Sequence, residues 1–185
     1  MGAVGSAPVY VHGLSAVSPP APESPVETLW HDVIAEARYL YPDLQQARPA
    51  GPVSPNAPDP GLPSFIEFLA LANRFVTPQR PVLRYPLPSG DAITCVLFQG
   101  RTYITGTDIV RSLMYRHMAL RRQVCHIKKF EEGVFSDLRN LKPGLHATLQ
   151  EPRSPLLGYL DHLGCIRTQK KQKVFFWECV PHDRL

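Results

Sequence analysis

Apolar residues follow two different rhythms along this chain. In some stretches they recur every third or fourth position, as on one face of a helix; in others they crowd into short runs, as in buried strands. Leu29, Val33, Ala37 and Leu40 are the first periodic set, ending at Tyr41-Pro42. Ser24-Pro-Val-Glu27 stands before them as a capping box with proline in the first turn, which predicts a short helix. Ser64-Phe-Ile-Glu67 is a second capping box, and Phe65, Leu69, Ala72 and Phe75 continue on one face. Each helix carries an apolar stripe and needs a surface to pack on. For the first, that surface is either the rest of the chain or a partner.

The run Ala92–Phe98 and the run Thr102–Thr105 flank Gln99-Gly100-Arg101 and predict a hairpin. Gly106-Thr107-Asp108 then opens a helix, with Thr107 as its cap and Ile109, Val110, Leu113, Met114 and His117 on its apolar face. Phe130, Val134, Leu138 and Leu141 define another helix, stopped by Lys142-Pro143-Gly144. Ser154-Pro155 starts a further one, with Leu156, Leu157, Leu160 and Leu163 as the buried stripe and Gly164 as the left-handed terminator. Last comes Cys165–Val180. Arg167, Lys170, Lys171 and Lys173 precede the apolar run Val174–Trp177 with no acid among them, which reads as a hairpin with a cationic tip.

Proline usage divides the chain. Of 20 prolines, 12 fall in residues 1–63, many in stretches such as Pro49–Pro60 that lack apolar periodicity. Such segments favour extended, donor-poor backbone, so residues 1–61 are expected to be a mostly disordered leader with one short helix, and residues 62–185 a single domain. Charge follows the same division. Residues 1–81 hold 4 Lys/Arg and 7 Asp/Glu, whereas residues 82–185 hold 16 Lys/Arg and 9 Asp/Glu. The overall net charge of +4 therefore understates how basic the second half is, and the expected partner is a polyanion, above all a nucleic-acid backbone.

Other chemistries find little support. No apolar run approaches the ~18 residues of a membrane span, and no membrane partner is expected. Cys95, Cys125, Cys165 and Cys179 form no Cys-x-x-Cys pair, so neither a metal nor another cofactor is expected. No nucleophile elbow, P-loop or dinucleotide-binding glycine motif is present. Glu131 and Glu132 are read as complementing a helix dipole rather than as catalytic carboxylates, and no enzyme is expected.

Three long blocks carry a family resemblance. Ile104–Arg111, Lys128–Gly144 and Cys165–Trp177, closing with Val180-Pro-His-Asp-Arg-Leu185, resemble the DNA-binding domain of the fungal Sterile-Twelve (STE-type) transcription factors. The resemblance covers roughly residues 62–185. It implies a nuclear, sequence-specific DNA-binding protein controlling mating or filamentation genes downstream of a kinase cascade, with a domain often called homeodomain-like. Where that family tends to have Phe-Gly-Arg-Pro-Val, this chain has Leu120-Arg-Arg-Gln-Val124. The helix and hairpin order read here predicts an α+β fold of the winged-helix or helix-turn-helix kind, behind a Pro-rich disordered N-terminus.

The expected DNA contacts are Arg111, Arg116, Arg121, Arg122, Lys128, Lys129, Arg139, Asn140, Lys142, Arg167, Lys170, Lys171 and Lys173. Lys170, Lys171 and Lys173 suit phosphates; the helix with Arg111 and Arg116, or the one with Arg139 and Asn140, suits guanine and adenine edges. Ser18, Ser24, Ser54 and Thr77 each precede proline and are candidate phosphoacceptors for a proline-directed kinase. Double-stranded DNA is the expected partner, together with other transcription factors and that kinase. The alternative is a basic interaction module that docks an acidic protein without binding DNA.

Overall fold

The computed structural model describes residues 27–40 and 58–182. The elements run β1 (Glu27–Leu29), α1 (Trp30–Leu40), α2 (Leu62–Phe75), β2 (Val82–Pro86), β3 (Ala92–Phe98), β4 (Arg101–Thr105), α3 (Gly106–Ala119), α4 (Ile127–Leu138), β5 (Ala147–Gln150), α5 (Pro155–His162) and β6 (Gln172–Phe176), with a 3-10 turn at Trp177–Cys179. The strands form a six-stranded sheet in the order β1-β2-β3-β4-β6-β5. Among these strands β1 pairs with β2 in parallel, and the other strand pairings are antiparallel. The α+β class therefore holds.

Alternation along the strands builds two cores. Leu83, Tyr85, Ile93, Cys95, Ile104 and Phe175 face helices α1 to α4, while Val82, Val96 and Val174 face α5 and its leucines. Each fully buried side chain of this size stabilises the fold by about 1.5–3 kcal/mol. The β3–β4 hairpin forms as expected. Gln99 and Gly100 take φ of 48° and 78°, the doubly left-handed turn that matches strand twist, with Phe98 opposite Arg101. α5 also follows its signals: the Ser154 hydroxyl accepts from the Leu157 N–H, and Gly164 has φ of 68°.

The N-terminal helix differs from its expected start. Glu27–Leu29 is an edge strand, and Leu29 is exposed. The helix begins at Trp30 and buries Trp30, Val33, Ile34 and Ala37 in the larger core. Trp30 packs edge-on against Phe68 and Phe75. Glu36 pairs with Arg80 at 3.1 Å. Residues 27–40 thus share the core of residues 62–182, upstream of the boundary expected from proline content. Ser18, Ser24 and Ser54, the capping box at Ser24 and the Pro49–Pro60 stretch up to residue 57 lie outside the described residues.

Three further corrections concern local signals. α2 starts at Leu62, not at a Ser64 cap; Gly61 is its N-cap and the Asp59 carboxylate accepts the Gly61 N–H at 2.7 Å. α3 is capped by Thr105, whose hydroxyl accepts from Asp108 N–H at 3.0 Å, so Thr107 is already helical. The cationic segment is not a hairpin tip. It is the loop from α5 to β6, and β6 pairs with β5 and β4 on either side. Strands β2 and β5 were not visible as runs, because Arg84 and Pro86 break one and Thr148 and Gln150 alternate through the other.

Candidate nucleic-acid interface

α3 and α4 are consecutive helices joined by the turn Leu120–His126, and they differ sharply in burial. α3 is wedged between the sheet and α4, burying Asp108, Ile109, Val110, Ser112, Leu113, Tyr115 and Ala119. α4 buries only Val134 and Leu138, with Phe130 and Leu141 half-buried beside them. Its remaining side chains face outward.

This difference decides which cations are free. Arg111 is held by two carboxylates, Asp91 at 3.1 Å and Asp108 at 3.0 Å. Arg116 donates to the backbone carbonyl of His182 at 2.6 Å. Both are engaged in joining α3 to its surroundings. By contrast Arg121, Arg122, Lys128, Lys129, Arg139 and Lys142 are exposed, and their side chains make no ion pair or hydrogen bond with the described residues. Arg139 in particular does not pair with Glu132 or Asp137 of its own helix. Asn140 is exposed beside it.

The two groups bracket α4. Arg121, Arg122, Lys128 and Lys129 lie at its start, and Arg139, Asn140 and Lys142 at its end. At ~1.5 Å per residue the twelve-residue helix separates them by roughly 18 Å. Lys128, Glu132, Phe135 and Arg139 fall at i, i+4, i+7 and i+11 on the exposed face. The helix itself is not basic, since Glu131, Glu132 and Asp137 outnumber its two lysines. The positive charge is in the segments that flank it.

β6 joins this surface at the far end. Lys173 Nζ donates to the carbonyls of Leu138 and Leu141, at 3.2 and 2.9 Å, and caps the C-terminus of α4. Lys173 is therefore committed to positioning the helix. Lys171 pairs with Glu151, a carboxylate brought close by the fold and distant in sequence. Arg167 and Lys170 are exposed on the same loop. A cleft of about 400 Å³ opens between α4, β6 and the start of α3, lined by Gly106, Thr107, Phe135, Arg139, Gln172 and Lys173 among others. Sequence reasoning missed Thr107, Phe135 and Gln172 as members of this surface. Phe135 had one signal: it is an aromatic residue off the Phe130–Val134–Leu138 stripe.

The turn before α4 closes without glycine. Arg121 has φ of 58°, Arg122 N–H donates to His117 carbonyl at 2.9 Å, and Arg121 N–H donates to Met118 carbonyl at 2.9 Å. That is a Schellman closure, with arginine in the left-handed position. Thr77, the one candidate phosphoacceptor among the described residues, is exposed in a tight turn where its hydroxyl accepts from Arg80 N–H at 3.1 Å.

The family model of STE like transcription factors matches residues 66–185. Transcription factor MST12 of Pyricularia oryzae is 56% identical over 108 residues, covering 58% of this chain and 15% of that protein. Protein STE12 of Saccharomyces cerevisiae is 50% identical over 119 residues, 64% of this chain and 17% of its own length. Transcription factor CPH1 of Candida albicans is 49% identical over 119 residues, 64% and 18% respectively. The chain thus corresponds to less than a fifth of the length of these relatives. No solved structure matches it significantly.

Proposed function

The chain belongs to the STE-like transcription factor family, and on that premise we propose that it is a sequence-specific DNA-binding transcription factor whose α4 enters a groove of duplex DNA. The observation that carries this reading is the pairing of an outward-facing helix with uncommitted cations at both of its ends. A helix fits the major groove, and cations at its ends then meet the two phosphate backbones that border it. α3 and α4 supply the helix–turn–helix of this arrangement, with α4 as the second, base-facing helix.

Within that reading, Arg121, Arg122, Lys128, Lys129, Lys142, Arg167, Lys170 and Lys171 are the phosphate contacts, Arg139 and Asn140 are base readers, and Lys173 acts by holding α4. Arg111 and Arg116 are assigned to the protein's own framework. The folded unit runs from residue 27. A nuclear location, control of mating or filamentation genes, and regulation by a proline-directed kinase and by other transcription factors belong to the same proposal. Its support is that the relatives MST12 and CPH1 are themselves named transcription factors.

The test is selection from a random duplex library, followed by the same selection with Arg139→Ala, Asn140→Ala, Arg111→Ala and Arg116→Ala. Changes at one base position for the first two, with none for the last two, are expected. No enrichment of any duplex by the native chain would favour the acidic-protein alternative.

A further inference from the structure

We propose that Phe135 reads thymine, its ring meeting the C5-methyl group of one thymine in the major groove. The inference rests on α4 being the base-facing helix. Phe135 is a large apolar side chain left 46% exposed on the outward face, one turn from Arg139. Its exposure is not slack packing. A Cβ built on Gly106 would lie 3.3 Å from the Phe135 ring and 3.4 Å from the Phe175 ring, so the glycine lets both rings close over the start of α3. The ring is thus seated before any ligand arrives, and fixing it on binding costs little entropy.

Its neighbours narrow the choice of base. The cleft that Phe135 lines has the free Arg139 guanidinium on its rim, whereas the donors of Gln172 and Lys173 beside it are taken up by the carbonyls of Thr168, Leu138 and Leu141. Among the four bases, thymine alone shows the major groove a methyl group beside a carbonyl acceptor. An apolar ring beside a guanidinium is the complement of that edge.

The test uses the most enriched duplexes from a random library selected with the 185-residue chain. Each thymine is replaced in turn by deoxyuridine, which removes the methyl and leaves every hydrogen-bonding atom in place. Native protein should lose ~4-fold in affinity at one position, the equivalent of about 0.8 kcal/mol for one buried methyl. Phe135→Ala should bind thymine and uracil equally at that position and respond as native protein does elsewhere. Phe135→Gln, which keeps side-chain length without the ring, gives the same reading if the alanine variant does not fold. Equal uracil penalties in native protein and variant, or no penalty at any thymine, would overturn the assignment. Failure to enrich any duplex is a separate result and would overturn the DNA-binding reading itself.

Discussion

A left-handed backbone costs a residue with a Cβ about 1–2 kcal/mol, and Arg121 carries that cost at the hinge between α3 and α4. The Schellman hydrogen bonds at its neighbours hold it there. Glycine at this position relieves the strain but loosens the unfolded chain, which returns part of the gain. Arg121→Gly should therefore stabilise the protein by ~1 kcal/mol, or about 2–4 °C in Tm, whereas Arg121→Ala should not. If both substitutions shift the melt equally, charge and not conformation explains the effect. Asp108 is unusual for a different reason, a carboxyl group buried in the core. Burial raises its pKa from 3.8 to about 6, opposed by Arg111 and by the Thr94 N–H. The folded chain then holds this proton more tightly than the unfolded chain. Its stabilisation is complete below about 3.8 and declines as pH rises to about 6. Relative to Asp108→Asn, native stability should fall by about 2–3 kcal/mol between pH 4 and 6 and stay level above. Parallel stability–pH curves would mean that Arg111 and Thr94 hold the carboxylate at its ordinary pKa.

At the scale of elements, α1 shows how a weak local signal acquires a strong tertiary role. Its apolar stripe was legible, but its partner was not, because nothing in Trp30–Leu40 identifies Phe68 and Phe75 as the rings Trp30 will meet. The parallel edge strand before it was not legible either. Three residues are too few to show a period, and Glu27–Leu29 gains strand form only by pairing with Val82–Arg84. Trp30→Ala should cost about 3–5 kcal/mol in urea unfolding. Trp30→Phe should cost clearly less, since the indole N–H is buried without an acceptor among the described residues. Removal of residues 1–61 should abolish cooperative unfolding, because it strips one side of the larger core. A truncated chain with an unchanged urea midpoint would restore the domain boundary to residue 62.

For the whole molecule, the decisive feature is where charge is left uncommitted. Sixteen Lys/Arg lie in residues 82–185, yet the fold engages Arg84, Arg111, Arg116 and Lys173 internally. Among the described residues, Arg121, Arg122, Lys128, Lys129, Arg139 and Lys142 around α4 and Arg167 and Lys170 in the α5–β6 loop are exposed, and Lys171 of the same loop is exposed but paired with Glu151. Replacing Arg167, Lys170 and Lys171 by alanine should weaken specific and non-specific duplexes alike. The log–log salt slope should become shallower by about 0.9 for each phosphate that the loop no longer neutralises. A full slope in the triple variant would remove this loop from the interface.

The sequence by itself determined the α+β class, the β3–β4 hairpin and the α5 boundaries, because turn residues, caps and proline act over four or five neighbouring positions. It also determined the basic half and the family, which reside in composition and in ordered blocks of residues. Tertiary structure alone decided that α1 belongs to the core, that the basic segment is a loop rather than a wing, and that Lys173 caps a helix far upstream of it. It alone separated Arg111 and Arg116 from Arg139, since an arginine's freedom depends on which carboxylates and carbonyls the chain brings to it from far away in sequence. Local propensity is written in neighbours; burial and pairing depend on groups that meet only after the sheet has closed.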